Sequence, residues 1–339
     1  MTKIKIGIIG SAGYTGGELL RILIYHPHAD IVFAHSGSNA GNKVSDVHTD
    51  LLGDTDLRFS ENYHSDIDVL FLCVGHGDSR KFLEANTVAP HVKIIDLSQD
   101  YRLSANCEYH GQSFVYGLPE LQRDVIGSAH YIANPGCFAT GIQLALLPLA
   151  AAGLLTGEIH INATTGSTGA GQRPSATSHF SWRSGNLSIY KAFEHQHLQE
   201  ISESLGQLQP GFLPQSDESL LQRAMQRISI IPQRGNFARG ILSAIYLDSD
   251  LSEEGARECF QAYYAEHPFT HITDSNIDLK QVVNTNKCIL QVEKHGRKLL
   301  ITSIVDNLLK GASGQAVQNM NLIAGLDETS GLRLKSVGF

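Results

Sequence analysis

At 339 residues the chain exceeds the usual size of a single hydrophobic core, and 42% hydrophobic against 18% charged residues is a globular balance that excludes disorder. A formal net charge of -8, with no long Lys/Arg run, excludes nucleic acid as a principal partner but leaves small anions open, since local positive groups bind those. The first twenty residues turn glycine-rich within ten, which predicts neither a signal peptide nor a membrane span and points to the cytoplasm; five scattered cysteines without a CxxC pair predict neither a disulfide framework nor a zinc site.

In chain order, residues 4–9 form a β-branched run that ends at Gly10, followed by a glycine-rich turn and an apolar-periodic stretch over 17–25. That reads strand, loop, helix. Short, near-continuous apolar runs at 31–34, 69–74 and 93–97 predict strands buried on both faces, hence a parallel, doubly wound sheet. From about residue 157 the runs at 158–165, 227–231, 240–248, 288–294 and 298–305 are longer and alternate with polar residues, which predicts a mixed or antiparallel sheet. A helix is expected over 252–266 with Ser252 as N-cap, and a final amphipathic helix over 308–322. The expected fold is α/β: a Rossmann-type parallel sheet plus an α+β substrate domain with a mixed or antiparallel sheet.

Gly10-Ser11-Ala12-Gly13-Tyr14-Thr15-Gly16 sits between a strand and a helix, where glycines let backbone N–H groups approach a pyrophosphate at a positive helix terminus. The alternative is a tight turn without a ligand. The second strand ends Ala34-His35-Ser36-Gly37-Ser38, with no carboxylate to repel a 2′-phosphate. Ser36 and Ser38 suit that phosphate and favour NADP, although solvated loop serines explain them equally well.

Cys137 follows a short strand and a Pro-Gly turn and precedes the apolar run 141–152, so it sits at a helix N-terminus, which stabilises a nucleophilic thiolate. Cys73, Cys259 and Cys288 lie in apolar runs and read as inert. His195 and His197 alternate between Glu194 and Glu200; an imidazole can serve acid/base chemistry, but the spacing also suits metal ligation or plain surface residues. The small-residue stretch 164–174, after a strand, is either a ligand-approach loop or a flexible turn.

Taken together, GSAGYTGGELLR, YGLPEL, NPGCFAT, TTGSTGAGQRPS, HQHLQEI, GNFARGIL and DNLLKGASGQAVQNMN resemble the N-acetyl-γ-glutamyl-phosphate reductases of arginine biosynthesis, relatives of aspartate-semialdehyde dehydrogenase, almost from end to end. The resemblance implies NADPH-dependent reduction of an acyl phosphate through a thioester on Cys137, with His197 as acid/base and His195 nearer substrate or phosphate; the choice between the two histidines stays open. It also implies that Arg239 holds the substrate α-carboxylate, that Asn307 faces the nicotinamide carboxamide, and that Ser167 and Gly169 line the same pocket. The last helix is expected to return to the NADP-binding domain, giving domains of 1–140 with 308–339 and of 141–307, in a homodimer or homotetramer.

Gln196, Gln199 and Gln233 depart from the pattern of many relatives, which opens an N-succinyl substrate, with Arg173 and Arg183 as the cations suspected of meeting a second carboxylate. The rival readings are an aspartate-semialdehyde dehydrogenase, a catalytically silent NADP-binding sensor, and a metalloprotein built on His195 and His197.

Overall fold

The computed structural model describes residues 3–338. Met1, Thr2 and Phe339, at the outer ends of the expected NADP-binding domain, lie outside the described residues. The chain divides into two compact units, Met1–Pro135 with Ala312–Leu334, and Gly136–Gly311 with Lys335–Phe339.

The first unit is built on strands β1 (Ile4–Ile9), β2 (Ala29–His35), β3 (Phe59–Ser60), β4 (Val69–Leu72), β5 (Lys93–Asp96), β6 (Val115–Tyr116) and β7 (Tyr131–Ala133). Their spatial order is β3-β2-β1-β4-β5-β7-β6, and every neighbouring pair is parallel. Crossovers cover both faces of such a sheet, which is why its strands are short apolar runs: all of β4 is buried, and all of β5 but Lys93. The order reverses at β1, with β2 on one side and β4 on the other, so a ligand crevice opens beyond the carboxyl ends of these strands.

Helix α1 (Tyr14–Leu23) starts there, three residues before the periodic stretch suggests, because extended Gly13 serves as its N-cap and accepts from the Gly17 N–H at 2.9 Å. The chain returns to this unit in a helix over Gly314–Ile323 that is buried at nine of its positions, polar ones included. It is therefore less amphipathic than its sequence suggests. Several of its amide groups find partners: Asn319 Nδ2 donates to the Gly117 carbonyl (2.9 Å) and Asn134 Oδ1 (3.1 Å), while Asn321 Oδ1 meets His26 Nε2 at 3.0 Å.

The second unit holds β8 (Ile159–Thr165), β9 (Ser188–Ile189), β10 (Ile228–Arg234), β11 (Ile241–Asp248), β12 (Thr270–Thr273), β13 (Cys288–His295) and β14 (Lys298–Val305), in the order β9-β10-β8-β11-β14-β13-β12. β8 runs parallel to β10 and β12 to β13; the other pairs are antiparallel. Burial alternates along β8 and β11, as expected where one face meets the core. That face receives α2 (Cys137–Ala151), whose residues from Phe138 through Ala150 are all buried. Its sequence is apolar all round, as a central helix requires. Pro148 inside α2 cannot donate to the Leu144 carbonyl one turn back, and the Tyr264 hydroxyl donates to that carbonyl instead, so the proline leaves no orphan. The expected helix over 252–266 forms as Glu253–Tyr264, with Ser252 Oγ accepting from the Gly255 N–H at 3.0 Å.

Candidate active site

In the first unit the glycine-rich turn separates its three glycines by role. Gly10 has φ +79°, and a Cβ there would lie 2.4 Å from the Cys73 carbonyl oxygen; at Gly16 a Cβ would lie 2.5 Å from Ser11 Cα. Both are required by the protein itself. Gly13 is not, since its φ is ordinary and a Cβ would meet only the Gly10 oxygen at 3.5 Å, so the space in front of it is left for something else. The α1 N-terminus carries no side-chain cap and no acid in its first turn, which leaves the amides of Tyr14, Thr15 and Gly16 free of intrahelical acceptors and suited to an anion.

Ser11 faces the other way. It is fully buried and its hydroxyl donates to the His35 carbonyl at 2.8 Å, so its side chain builds the loop. Beyond β2, Ser36 is buried and Ser38 exposed, and Asn39 Nδ2 donates to Ser38 Oγ at 3.0 Å. Sequence reading finds no arginine near these serines, but β3 pairs with the end of β2 and brings Arg58 there, its guanidinium donating to the Gly41 carbonyl at 2.7 Å. Lys43 bridges Arg58 through the backbone. No short-range signal could have shown this, because a two-residue strand sets it.

In the second unit Cys137 is the first residue of α2, four residues before the apolar run suggests, with Gly136 as its N-cap. Cys137 is half-buried while the residues flanking it on both sides are buried, so the thiol is the accessible point of its segment. Helix α3 (His197–Leu208) starts at His197 and thereby places Glu200 one turn on, on the same face. Glu200 Oε2 accepts from the Gly136 N–H at 3.0 Å, and its Oε1 lies 3.7 Å from His197 Nε2. A Cβ at Gly136 would stand 2.5 Å from His197 Nε2 and 2.6 Å from Glu200 Oε1. His197 and Glu200 are thus packed against the backbone immediately before Cys137. On the other flank, a Cβ at Gly311 would lie 2.9 Å from Cys137 Cβ.

Gly136→Ala is therefore expected to displace the imidazole and carboxylate ends, lowering kcat/KM by about tenfold or more while costing about 1–3 kcal/mol of stability. Paired kinetics and thermal denaturation read the two effects, and full activity in that variant would contradict the placement.

The histidines differ in environment. His195 is 3% exposed, and its Nδ1 accepts from the His197 N–H at 3.2 Å, which leaves the proton of the neutral ring on Nε2. Burial first, then the neighbouring charges of His197 and Lys191, hold its imidazole down to about 3. It is a neutral donor near pH 7, not a cation for phosphate. Lys191 and Phe193, both at positive φ, form the turn that delivers the pair, a strain that costs of the order of 1–3 kcal/mol per residue. Among the described residues no group of three or more His, Cys, Asp or Glu could hold a metal ion.

The loop after β8 docks on the segment after β10: the Ser167 N–H donates to the Phe237 carbonyl (2.8 Å), Thr168 Oγ1 to that of Ala238 (2.6 Å), and a Cβ at Gly166 would lie 2.3 Å from the Ala238 oxygen. Asn307 ties both segments, accepting from the Gly240 N–H at 2.8 Å and donating to Thr168 Oγ1 at 3.0 Å. Ser167 is half-buried and Gly169 exposed. Arg239 Nε donates to Asp306 Oδ2 at 3.0 Å, and fully buried Asp306 also accepts from the backbone of Asn284 and Leu308. Those bonds and the Gly311 N–H to the Asp306 carbonyl open the chain into one wide turn over Leu309–Ser313, which helical periodicity cannot foresee.

Arg183 corrects an expectation. It is 5% exposed and spends its guanidinium on the carbonyls of Thr177 and Arg234 and on Ser188 Oγ, so it builds the loop and cannot meet a second substrate carboxylate. Arg173 is exposed. Burial pushes the Cys73 thiol far above its usual range and raises that of Cys259, whereas Cys137 starts a helix beside the His197–Glu200 pair and is the placed nucleophile candidate. No helix among the described residues is long and apolar enough to cross a membrane.

Comparison with known proteins identifies the family of the chain. The family model described as the semialdehyde dehydrogenase NAD binding domain matches residues 5–129, and the semialdehyde dehydrogenase dimerisation domain matches 137–307. Curated relatives named N-acetyl-gamma-glutamyl-phosphate reductase include one from Azobacteroides pseudotrichonymphae, 58% identical over 99% of this chain and 100% of its own length, and one from Bacteroides thetaiotaomicron, 56% identical over the same shares. Solved structures of similar fold include aspartate semialdehyde dehydrogenase II from Vibrio cholerae (TM-score 0.71, 15% identity, 96% of this chain and 99% of that one) and the Candida albicans aspartate semialdehyde dehydrogenase with NADP (TM-score 0.68, 16% identity, 95% and 99%). The chain belongs to the semialdehyde dehydrogenase family and, within it, to the N-acetyl-γ-glutamyl-phosphate reductases.

Proposed function

We propose that the chain reduces N-acetyl-γ-glutamyl phosphate to N-acetylglutamate 5-semialdehyde with release of phosphate, using NADPH and a thioester on Cys137. One observation carries the reading: a half-buried cysteine at the start of α2, with a histidine–carboxylate pair packed against the preceding residue. His197 takes the thiol proton, and the positive end of α2 favours the resulting anion. The thiolate attacks the γ-carbonyl, the carbon–oxygen bond to phosphate breaks, and phosphate leaves with its electron pair. A bound nicotinamide supplies the hydride that reduces the thioester. First-turn amides of α2 stabilise the thiohemiacetal oxyanion, His197 exchanges its proton with that oxygen, and collapse breaks the carbon–sulfur bond to release the aldehyde. Glu200 steadies the imidazolium and fixes the Gly136 amide.

Arg239, held by Asp306, suits the α-carboxylate, with Ser167 and Gly169 on the adjoining loop. Asn307, whose amide keeps one further donor and one further acceptor, would meet the nicotinamide carboxamide. For the cofactor, the uncapped α1 start and the space before Gly13 suit the pyrophosphate, and Ser36, Ser38 and the cations Arg58 and Lys43 favour a 2′-phosphate, hence NADP over NAD. In this reading the N-terminal domain, completed by the last helix, binds cofactor and the second domain performs the chemistry, in a cytoplasmic homodimer or homotetramer; the dimerisation model that matches 137–307 supports the assembly.

Phosphate-dependent reduction of NADP with N-acetylglutamate 5-semialdehyde tests the reading. Turnover is expected with that aldehyde and not with aspartate semialdehyde, and NADP should be preferred to NAD by at least about tenfold. Turnover of aspartate semialdehyde alone would overturn it.

A further inference from the structure

β10 ends at Arg234, a cation that its surroundings leave unneutralised. Its backbone pairs with Thr165 of β8 on one side and Ser188 of the edge strand β9 on the other, and its carbonyl accepts from Arg183 Nη1 at 2.7 Å. The guanidinium carbon lies 4.7 Å from the centre of the Tyr190 ring. Its Nε is buried without a hydrogen-bond partner, and among the described residues no carboxylate forms an ion pair with it. A half-buried guanidinium with an unused donor calls for an oxyanion.

Its neighbours are those of the reaction. The Tyr190 ring lies 5.9 Å from that of His195, which in turn lies 4.5 Å from His197 and 5.3 Å from Phe138, the residue after the nucleophile. Burial, followed by the Cys137 charge, pushes the Tyr190 phenol up to about 12 even though Arg234 pulls it down, so Tyr190 stays a neutral platform near the thiol. Arg239 occupies a different place: Arg234 and Ile241, two residues beyond Arg239, pair with the same Thr165 from opposite sides, a separation of two strand spacings or about 10 Å.

We propose that Arg234, seated on Tyr190, is a specificity-determining residue that receives a substrate oxyanion other than the α-carboxylate assigned to Arg239. The proposal rests on the reductase reading. Such a substrate has two sources of this oxyanion: the phosphoryl group, and a carboxylate at the far end of a dicarboxylic acyl cap such as succinyl. The planar fork of arginine fits either.

The test uses the phosphorylating oxidation, in which inorganic phosphate and the N-acylated aldehyde are separate substrates whose KM values are read independently. With a phosphoryl occupant, Arg234→Gln raises the KM for phosphate about tenfold or more and leaves that of the aldehyde within about twofold. With a carboxylate occupant, the KM for N-succinylglutamate semialdehyde rises by a similar factor and that of phosphate does not. Arg234→Lys, which keeps the charge and loses the fork, should fall between wild type and Arg234→Gln, and it carries the same test should Arg234→Gln fail to fold. Unchanged KM values for phosphate, N-acetyl and N-succinyl aldehyde overturn the proposal. A wild-type enzyme inactive on every N-acylated aldehyde sinks the reductase reading instead.

Discussion

Cys137→Ala is expected to lower reductase turnover by about 10⁴-fold or more, because the substitution removes the sulfur that carries the acyl group in the proposed route. NADPH binding should persist, since the glycine turn and the α1 N-terminus belong to the other unit. Replacement of Cys73 or Cys259, whose thiols burial raises, should have no comparable effect on chemistry. Single-turnover kinetics with NADPH, paired with a fluorescence titration of the cofactor, separates the two properties. Retention of more than about a hundredth of wild-type turnover in Cys137→Ala would rule out the covalent route.

The second large effect falls on the histidines, and it distinguishes them. His197→Asn should cost about 10²- to 10⁴-fold in kcat/KM. His195→Asn should leave any inflection near neutral pH in place, because a ring held at about 3 is neutral from mildly acidic pH upward and cannot be the group that titrates there. Glu200→Gln should lower kcat/KM by withdrawing the carboxylate beside Nε2. The buried neutral ring also sets a stability trend. Between about 6.5, where an unfolded histidine titrates, and about 3, the unfolded chain binds the extra proton, so acidification through that window destabilises the fold. Near wild-type kcat/KM in His197→Asn, with a large loss in His195→Asn, would reverse the assignment.

The longer strands of both sheets, such as β4, β8 and β11, were legible because their burial is uniform or alternating and residue periodicity reports that directly, whereas the short strands β3, β6, β9 and β12 were not. Cys137 was legible as a helix start because Pro-Gly precedes it. What was not legible depends on long-range pairing or on polar satisfaction. Arg58 reaches the end of β2 through a two-residue strand, and Asp306 shapes a wide turn through backbone amides that no side-chain pattern records. Arg183 looked like a spare cation in the sequence because its acceptors are main-chain carbonyls, which every residue has. Glu200 had a readable signal that spacing alone left unused: a carboxylate three residues after a histidine at a helix start shares its face.

The two glycines that flank Cys137 are distant in sequence: Gly136 adjoins the nucleophile, whereas Gly311 arrives after the whole second sheet has been threaded. The thiol's surroundings therefore close only when one of the longest loops in the molecule closes, a step whose entropic cost precedes its reward. Recovered activity after dilution from denaturant should consequently lag the return of helical signal, making turnover a readout of the last contact to form rather than of bulk collapse.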